Sequence, residues 1–382
     1  MALKGCTSSD NGGHGWDVDG SSLDARDSSA VGNQLANLRA KGGTTCTLVN
    51  CNLGQSSTNS GAWVSGSAVT ASGCSISSNH GSNVQVVQGG SCQLSGSCEC
   101  SWSKAGGGVV VTGTGSLLRA RGSRVCSNFN NNVQVDDGGA CELSDHCVCS
   151  WSEQGSGVRV QAATLSASGC DISSNALANV IVKDGSTCSL RECDCNWSKK
   201  GSGVWASGGS SVTAYGCSMC SNALCNLDVE GRSCCQLSNK CRCDYSKGGS
   251  GVRVRGSGSS VVATGGMICS NCYSNVQVDD GGLCELSKCE CCWSEGGSGV
   301  YVTGQDSIVI ARACKVSSNA LSNVQVDAGI AALCDGSKCC WSKGGHGVWA
   351  RGQGSTATTT PDCIISNNHC CDVMGLAKGA GS

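Results

Sequence analysis

The amino-acid sequence predicts an all-β protein, a right-handed parallel β-helix solenoid of about 15 coils. Three observations lead to this prediction. A triplet of the form apolar-x-apolar recurs every 22 to 25 residues along almost the whole chain. Apolar and polar residues alternate in short runs after each triplet, and Gly, Ser and Asn recur at fixed positions between those runs. Such a regular spacing is typical of stacked structural repeats.

The first predicted element of each coil is the strand that carries the triplet, as in Val158-Arg-Val160. We call its first residue the opener of the coil. Two successive coils make one 48-residue unit. The openers are Trp16, Leu38, Ala62, Val84, Val109, Val133, Val158, Val180, Val204, Leu227, Val252, Val276, Val300, Val324, Val348 and Val373.

The second and third predicted elements follow in the same coil. The runs Thr164-Leu-Ser-Ala-Ser-Gly-Cys170 and Asp171-Ile-Ser-Ser-Asn175 again alternate apolar with polar residues. Alternation with a period of two, bounded by Gly, Ser and Asn, indicates half-buried strands joined by tight corners. Left-handed β-helices are built from hexapeptides and have shorter coils, so the coil length favours the right-handed form.

One domain is predicted, because coils that pack only on their neighbours override the usual relation between length and domain number. It covers residues 1–382, with partial terminal coils at 1–15 and 373–382 and no evident caps. The two partial coils would together complete one coil of normal length. This predicts either a piece of a longer array or a protomer that stacks head to tail on itself.

Charge and targeting signals narrow the environment of the protein. The net charge is −2 and charged residues make up 14% of the chain, which favours neither a nucleic acid nor an anionic membrane as partner. The N-terminus has no basic segment followed by an apolar run, and no stretch of about 18 apolar residues occurs. We therefore expect a cytoplasmic protein, with secretion left open if the chain is a fragment.

The 35 cysteines fall at fixed positions within the coils. One set exchanges with Leu, Val or Ile on alternate coils, as a small buried hydrophobe would, and its members should lie about 10 Å apart, too far for a disulfide. Another set occurs on nearly every coil, at about 4.8 Å, where bridges are geometrically allowed. We favour free thiols over disulfides for these cysteines.

The C-x-C pairs follow from the strand repeat, and no metal site or cofactor is predicted. The first set reads Cys92, Leu117, Cys141, Leu165, Cys188, Val212, Cys234, Val261, Cys284, Ile308 and Cys334, and the second runs from Cys74 to Cys363.

A third set alternates Asn with an aromatic residue late in each coil, beginning Asn79, Trp102, Asn128 and Trp151. Because Asn tolerates a left-handed backbone and its amide can bridge neighbouring turns, we expect the set to form one stacked corner with an architectural role.

The motif Gly-Val-x-Val-x-Gly followed by Ser-x-Val-x-Ala-x-Gly-Cys-x-Ile-Ser-Ser-Asn resembles the repeats of the pectate-lyase-like superfamily. It is most similar to the carbohydrate-binding and sugar-hydrolase repeat domains, which also occur in F-box substrate adaptors of ubiquitin ligases. The resemblance covers about residues 14–370. It implies a parallel β-helix, and a function among polysaccharide lyases, hydrolases, adhesins and protein-interaction scaffolds.

The sequence offers no convergent catalytic site. Glycoside hydrolysis uses two carboxylates at most about 9.5 Å apart. The acids that follow the triplets, such as Asp136, Glu230, Asp279 and Asp327, recur on alternate coils, about 10 Å apart. Lyases of similar fold use calcium and an arginine base, but here arginines such as Arg253 recur along the chain. No catalytic residue is assigned, and a polysaccharide lyase or glycoside hydrolase is the alternative to our main interpretation.

The middle residue of each triplet should point outward, and several of these residues are aromatic or arginine, which are enriched on binding surfaces. They predict a non-enzymatic repeat scaffold whose extended face binds a protein or a glycan. Aromatic stacking within the sheet is the structural alternative. The candidate binding residues are Trp63, Arg159, Trp205, Arg253, Gln277, Tyr301, Gln325 and Trp349.

Overall fold

The computed structural model describes residues 1–375, and every regular element in that range is a β-strand. The seven remaining residues of the predicted partial coil 373–382 lie outside the described part. The chain divides into two compact units. Unit 1 comprises residues 1–181 and 185–194, and unit 2 comprises residues 182–184 and 195 onward. A single domain over residues 1–382 stays a prediction. Residues 1–375 contain no helix that is long and apolar enough to span a membrane.

Each coil contributes to three faces, and all strand pairs are parallel. The first face contains the openers. In unit 1 its strands are Trp16–Asp19, Leu38–Lys41, Ala62–Ser65, Val84–Val87, Val109–Thr112, Val133–Asp136 and Val158–Gln161; Val180–Lys183 spans the boundary; in unit 2 they are Val204–Ala206, Leu227–Glu230, Val252–Arg255, Val276–Asp279, Val300–Thr303, Val324–Val326, Val348–Ala350 and Val373–Met374.

The second face follows after a short turn. Its strands are Ala2–Lys4, Ser22–Arg26, Thr45–Val49, Ala68–Ser72, Ser91–Ser95, Leu117–Arg121, Ala140–Ser144, Thr164–Ser168 and Thr187–Arg191 in unit 1, and Ser211–Tyr215, Cys234–Ser238, Ser260–Thr264, Leu283–Ser287, Ile308–Arg312, Gly329–Cys334 and Ser355–Thr359 in unit 2.

The third face is the least regular. Its strands are Thr7–Ser9 and Ser29–Val31 in unit 1, and Glu290–Cys292, Lys315–Ser317, Lys338–Cys340 and Ile364–Ser366 in unit 2. Elsewhere it consists of single parallel bridges, such as Ser75 with Glu99. The predicted all-β parallel β-helix with three short strands per coil is confirmed in each unit.

The core of each unit lies between the three faces. In the first face, Val252, Val276 and Val300 pair in register, and each is fully buried. The last residues of the same triplets are buried as well. The predicted inward stacking of the openers is therefore correct, and burial of these aliphatic side chains is the main hydrophobic contribution to stability.

Four cysteines of the first set, Cys92, Cys141, Cys188 and Cys284, are buried as predicted, whereas Cys234 is exposed and Cys334 is partly exposed, so part of the predicted register was wrong. Cys92 pairs with Leu118, whereas Leu117 points outward. The turn before Leu117 contains one residue more than the turn before Ser91, so counting from the opener selects the wrong neighbour. The inward residues are Leu118, Cys235, Val309 and Ala331 instead of Leu117, Cys234, Ile308 and Cys334.

Part of the second cysteine set forms a row of hydrogen bonds along the inner corner, but Cys126, Cys269 and Cys339 were aligned incorrectly and lie two or three residues beyond that row. The backbone N–H of Cys51 donates to Sγ of Cys74 at 3.3 Å, and that of Cys74 donates to Sγ of Cys98 at 3.3 Å. All 35 cysteines are thiols in the structure, and 27 of them are buried. Among residues 1–375, no group of three His, Cys, Asp or Glu side chains is arranged to hold a metal ion.

A ladder of buried asparagines links alternate coils. Asn128 and Asn132 lie four residues apart in one coil and are both fully buried. The Nδ2 group of Asn128 donates to Oδ1 of Asn132 at 2.9 Å and to the carbonyl of Cys100 at 3.1 Å. Its Oδ1 accepts from Nδ2 of Asn83 at 2.9 Å and from the backbone N–H of Ser103 at 3.0 Å. All four hydrogen-bonding positions of this amide are therefore satisfied.

The same arrangement recurs within each unit. Asn83 and Asn132 each donate a hydrogen bond to an asparagine two coils further along the chain. Unit 2 contains equivalent bonds. The intercoil bonds are Asn37 to Asn79, Asn83 to Asn128 and Asn132 to Asn175 in unit 1, and Asn226 to Asn271, Asn275 to Asn319 and Asn323 to Asn368 in unit 2, all between 2.8 and 3.1 Å.

The asparagines also show that the predicted third set was aligned incorrectly. We expected Asn and Trp to share one left-handed corner. Asn79 and Asn128 instead lie one residue beyond that corner, and the left-handed residues are Ser78 (φ 62°), Trp102 (φ 62°) and Ser127 (φ 54°). The Asn side chain is buried because its amide forms hydrogen bonds with buried backbone groups, whereas the corner residue lies at the surface.

Replacement of Asn128 by Ala should destabilise the fold by roughly 3 kcal/mol or more, because it leaves several buried groups without hydrogen-bond partners. Urea unfolding monitored by circular dichroism would measure the change. The matched control is Asn130→Ala, since Asn130 is exposed and donates to the Ala105 carbonyl at 2.9 Å; we expect it to change stability by at most about 0.5 kcal/mol. Equal effects of the two substitutions would refute the proposed importance of the ladder.

Adjacent cysteines should differ sharply in reactivity. Burial raises the pKa of the Cys46 thiol to about 11 and that of Cys92 to about 12, which lowers the thiolate fraction at neutral pH. Cys234 is exposed, whereas its neighbour Cys235 is buried. Iodoacetamide applied to the native protein should therefore modify Cys234 quickly and Cys235 only after unfolding, as read by peptide mass spectrometry. Similar labelling rates for the pair would contradict the buried register.

Candidate binding groove in unit 2

The middle residues of the opener strands form a continuous outward row in unit 2. Arg253 pairs with Gln277, Gln277 with Tyr301, and Tyr301 with Gln325, each in direct register. Parallel strands are spaced about 4.8 Å apart, so these side chains stack at that interval. Trp205 and Asp228 precede Arg253 in this row, and Trp349 and Met374 follow Gln325. The residues of the predicted unit 2 strip therefore do lie side by side.

Three exposed apolar side chains lie beside this outward row. Leu224, Tyr273 and Leu321 are 49%, 58% and 47% exposed. Each is the middle residue of a segment with asparagines at both ends, such as Asn271–Asn275, whose end asparagines belong to the buried ladder. Because the asparagines at both ends of the segment are buried, its middle residue lies at the surface. This arrangement occurs on every second coil.

The outward row and the three apolar side chains enclose a groove of about 530 Å³. We call it the unit 2 groove. It is lined by Leu224, Cys225, Gly248, Gly249, Ser250, Arg253, Tyr273, Ser274, Gln277, Gly297, Ser298, Tyr301, Leu321 and Gln325.

The two glutamines on the floor are held in fixed orientations. Oε1 of Gln277 accepts from Ser250 at 2.8 Å, and its Nε2 donates to Asp279 at 3.0 Å. Gln325 repeats the pattern two coils onward, with Ser298 and Asp327 as partners at 3.1 Å. Fixed polar groups of this kind reduce the ordering that a ligand must impose on binding.

Arg253 and Tyr301 are equally constrained. The Arg253 guanidinium forms two hydrogen bonds to Asp228, at 2.6 and 3.0 Å, and these raise the pKa of Arg253 above its usual value. Arg253 therefore lies on the groove floor as a cation paired with Asp228. The Tyr301 hydroxyl donates to Asp327 at 2.9 Å. Burial, followed by this bond, raises the pKa of Tyr301.

Two carboxylates beside the floor have pKa values shifted in opposite directions. Burial raises the pKa of Asp279, and the bond from Gln277 only partly opposes it. Burial would also raise the pKa of Asp327, but hydrogen bonds from Arg351, Gln325 and Tyr301 outweigh it, so the pKa lies below the ordinary value. Asp279 thus favours the protonated state more than Asp327 does. Neither residue lines the groove.

The other candidate residues lie outside the groove. Trp205 donates its indole N–H to Glu230 at 3.1 Å, and the ammonium of Lys183 lies 4.2 Å from the ring centroid. Trp349 stacks with Arg351 at 4.5 Å and with His346 at 5.0 Å. The Trp205 contacts are with neighbouring strands, as in the structural alternative, whereas the Trp349 contacts are with residues of its own coil.

The two candidates of unit 1 are separated from the groove along the chain. Trp63 lies in register between Arg39 and Gln85, and Arg159 forms an ion pair with Asp136 at 3.3 Å. The sequence analysis missed the wall residues Leu224, Tyr273 and Leu321. Their shared position between two asparagines, four residues apart, was the available signal.

No protein-family model matches the sequence, and no curated protein matches it. Two solved structures are similar over most of the chain. The A-module of a mannuronan C-5 epimerase from Azotobacter vinelandii is 11% identical with a TM-score of 0.39, covering 87% of this chain and 91% of the other. A surface adhesin of Streptococcus pneumoniae is 6% identical with a TM-score of 0.27, covering 87% and 86%. The fold assignment rests on the strand pairing of this chain itself.

Asp279→Asn and Asp327→Asn should shift stability in opposite directions at neutral pH. A folded-state pKa above the unfolded-state pKa means that the folded protein binds more protons. The stability that Asp279 contributes therefore falls as the pH rises from the unfolded-state pKa through the folded-state pKa. Removing its charge should raise the urea midpoint. Asp327, with a lowered pKa, contributes stability above the ordinary Asp pKa and loses it on acidification, so Asp327→Asn should lower the midpoint. Shifts of the same sign would contradict these environments.

Proposed function

We propose that the unit 2 groove binds a segment of an uncharged glycan chain. The observation that carries this proposal is that Arg253, Gln277, Tyr301 and Gln325, stacked in register, form the floor of a groove whose wall carries Tyr273. Aromatic rings offer apolar area to sugar ring faces, and amides and hydroxyls offer hydrogen bonds to sugar hydroxyls.

The size of the groove favours a glycan over a protein partner. Its volume of about 530 Å³ lies within the range of about 300 to 1,000 Å³ that is usual for small-ligand sites. A stable protein interface buries at least about 1,000 Å² in total. A short stretch of sugar residues fills such a groove, whereas a folded partner would cover much surface beyond it.

The charges around the floor favour an uncharged ligand. Arg253 is paired with Asp228, and Arg255 is paired with Glu230. Asp279 and Asp327 add carboxylates on the same side of the sheet, of which Asp327 is paired with Arg351. No surplus of positive charge therefore attracts an acidic polysaccharide, and the paired arginines are already neutralised.

Glycan cleavage is a second candidate function, favoured by the opposite pKa shifts of Asp279 and Asp327. A general acid needs the higher pKa and a general base the lower one. Their positions two coils apart, about 10 Å, are at the outer limit for inverting hydrolysis. Binding without cleavage is therefore the main proposal.

Tyr301→Thr should weaken glycan binding about 10- to 100-fold, because it removes the aromatic surface from the centre of the floor while keeping a residue suited to a strand. The matched control is Trp205→Thr in the same outward row, which should leave affinity unchanged because Trp205 does not line the groove. Affinity electrophoresis and calorimetry with a panel of soluble neutral and acidic polysaccharides would measure both variants.

The same panel should be assayed for shortened chains. Full affinity in the Tyr301→Thr variant would refute the groove as the binding site. Chain cleavage that disappears in Asp279→Asn would replace the binding proposal by the enzymatic one.

A further inference from the structure

A second row of aromatic side chains lies on a different corner of unit 2, where the third face ends. It consists of Trp197, Tyr245, Trp293 and Trp341, which are 54%, 52%, 46% and 57% exposed. We call it the corner row. None of these residues lines the unit 2 groove. Large apolar side chains exposed at one repeated position form a surface that the stability of a core does not require.

The backbone of the corner row is in an unfavourable conformation. Trp293 and Trp341 have φ values of 57°, in the left-handed region, which is exceptional for a bulky residue. On the intervening coils the same corner is occupied by Ser270 and Ser318, with φ values of 54° and 60°. The backbone N–H groups of Ser270 and Trp293 make equivalent hydrogen bonds, to the carbonyls of Cys292 and Ser317 on the next coil.

The fold therefore requires a left-handed residue at this corner but not an aromatic one. Serine meets the requirement on alternate coils, and Asn or Gly would meet it at lower conformational cost. A left-handed backbone is energetically unfavourable for an ordinary residue, because its Cβ comes too close to the following carbonyl oxygen. Aromatic residues kept at that cost, and kept exposed, indicate a selected surface property rather than a packing need.

The edges of these rings are available to a ligand. The side chains of Trp197, Trp293 and Trp341 are each about half exposed, so part of every ring is open to solvent. The ammonium of Lys315 lies 5.8 Å from the Trp293 ring centroid, which orients that ring without covering it completely. The corner row thus combines exposed apolar ring area with an indole N–H donor on each tryptophan, which suits a ligand that has both apolar faces and hydroxyl groups.

The spacing of the corner row points to a periodic ligand. Neighbouring aromatics are two coils apart, which corresponds to about 10 Å at the normal strand spacing. In an extended β-1,4-linked glucan the same ring face recurs once per disaccharide, at a comparable distance. The exposed charged residues that follow the corner are mainly basic, so the preference for a glucan is argued from ring spacing and stacking and not from charge. They are Lys199, Lys200, Lys247, Glu295 and Lys343.

We propose that the corner row binds the surface of a solid, uncharged β-1,4-linked polysaccharide such as cellulose, by stacking of its aromatic rings on the sugar rings. This goes beyond the proposed function of the groove. The groove encloses a short segment of one chain, whereas the corner row is an open line of contacts that suits a flat surface. The two sites lie on different parts of the coil and bind independently.

The test is retention of the whole protein on microcrystalline cellulose. The double variant Trp293→Ser, Trp341→Ser places on these coils the residue that occupies the same corner at Ser270 and Ser318. We expect its partition to the solid to fall at least about 10-fold, because two of four aromatic contacts are lost. Its urea midpoint should be unchanged or higher, since the left-handed strain is reduced.

The matched control is Val262→Thr, Ile330→Thr, which removes two exposed apolar side chains from the second face of the same unit. It should leave retention unchanged. If the serine variant unfolds, the corner aromatics are structural and the proposal is wrong. The corresponding Asn variant gives an independent check, because Asn tolerates the same backbone.

Retention that is unaffected in both corner variants would overturn the proposal, as would failure of the unmodified protein to bind cellulose. Loss of cellulose binding in Tyr301→Thr, with full retention in the corner variants, would assign the binding to the groove instead. Loss of soluble-glycan binding in Tyr301→Thr with cellulose retention intact would support two independent sites.

Discussion

The buried asparagine ladder is the interaction on which the rest of each unit depends. A ladder amide such as that of Asn128 contacts its own coil, the carbonyl of the neighbouring coil and an asparagine two coils away. This geometry leaves no space at the start of the coils between. A Cβ atom at Gly108 would lie 2.6 Å from Nδ2 of Asn128, and one at Gly299 would lie 2.5 Å from Nδ2 of Asn319. Coils must therefore alternate between Asn and Gly just before the opener.

This alternation gives the 48-residue unit its physical basis. A coil of about 24 residues is sufficient for the three strands, but the amide network closes only over two coils. Other features then follow the same two-coil period. The aromatic corner residues occur on the coils whose opener follows Asn, and the exposed loop residues such as Tyr273 occur on the coils whose opener follows Gly.

The ladder also separates the structural positions from the positions that can carry function. Buried asparagines fix both ends of the segments that present Leu224, Tyr273 and Leu321, and the parallel register fixes the floor opposite them. The interior accepts Cys, Val or Leu at the same place, because a small apolar group is all that packing requires there. Specific chemistry is confined to outward positions, where side chains such as Gln277 and Gln325 are oriented by hydrogen bonds from the adjacent coils.

The sequence by itself determined the strands, the stacking of the openers and the outward row from Trp205 to Trp349, because alternation with a period of two assigns each residue to one side of a strand. Only the tertiary structure decided the groove, the bonds that join asparagines two coils apart and the true corner positions. The ladder bonds join residues 42 to 45 positions apart, and turns that differ by one residue change which neighbour points inward. The tertiary structure also distinguished Trp205 and Trp349, whose rings are covered by cations, from Tyr301, which lines the groove. These differences depend on contacts between residues of different coils, which a local sequence pattern does not reveal.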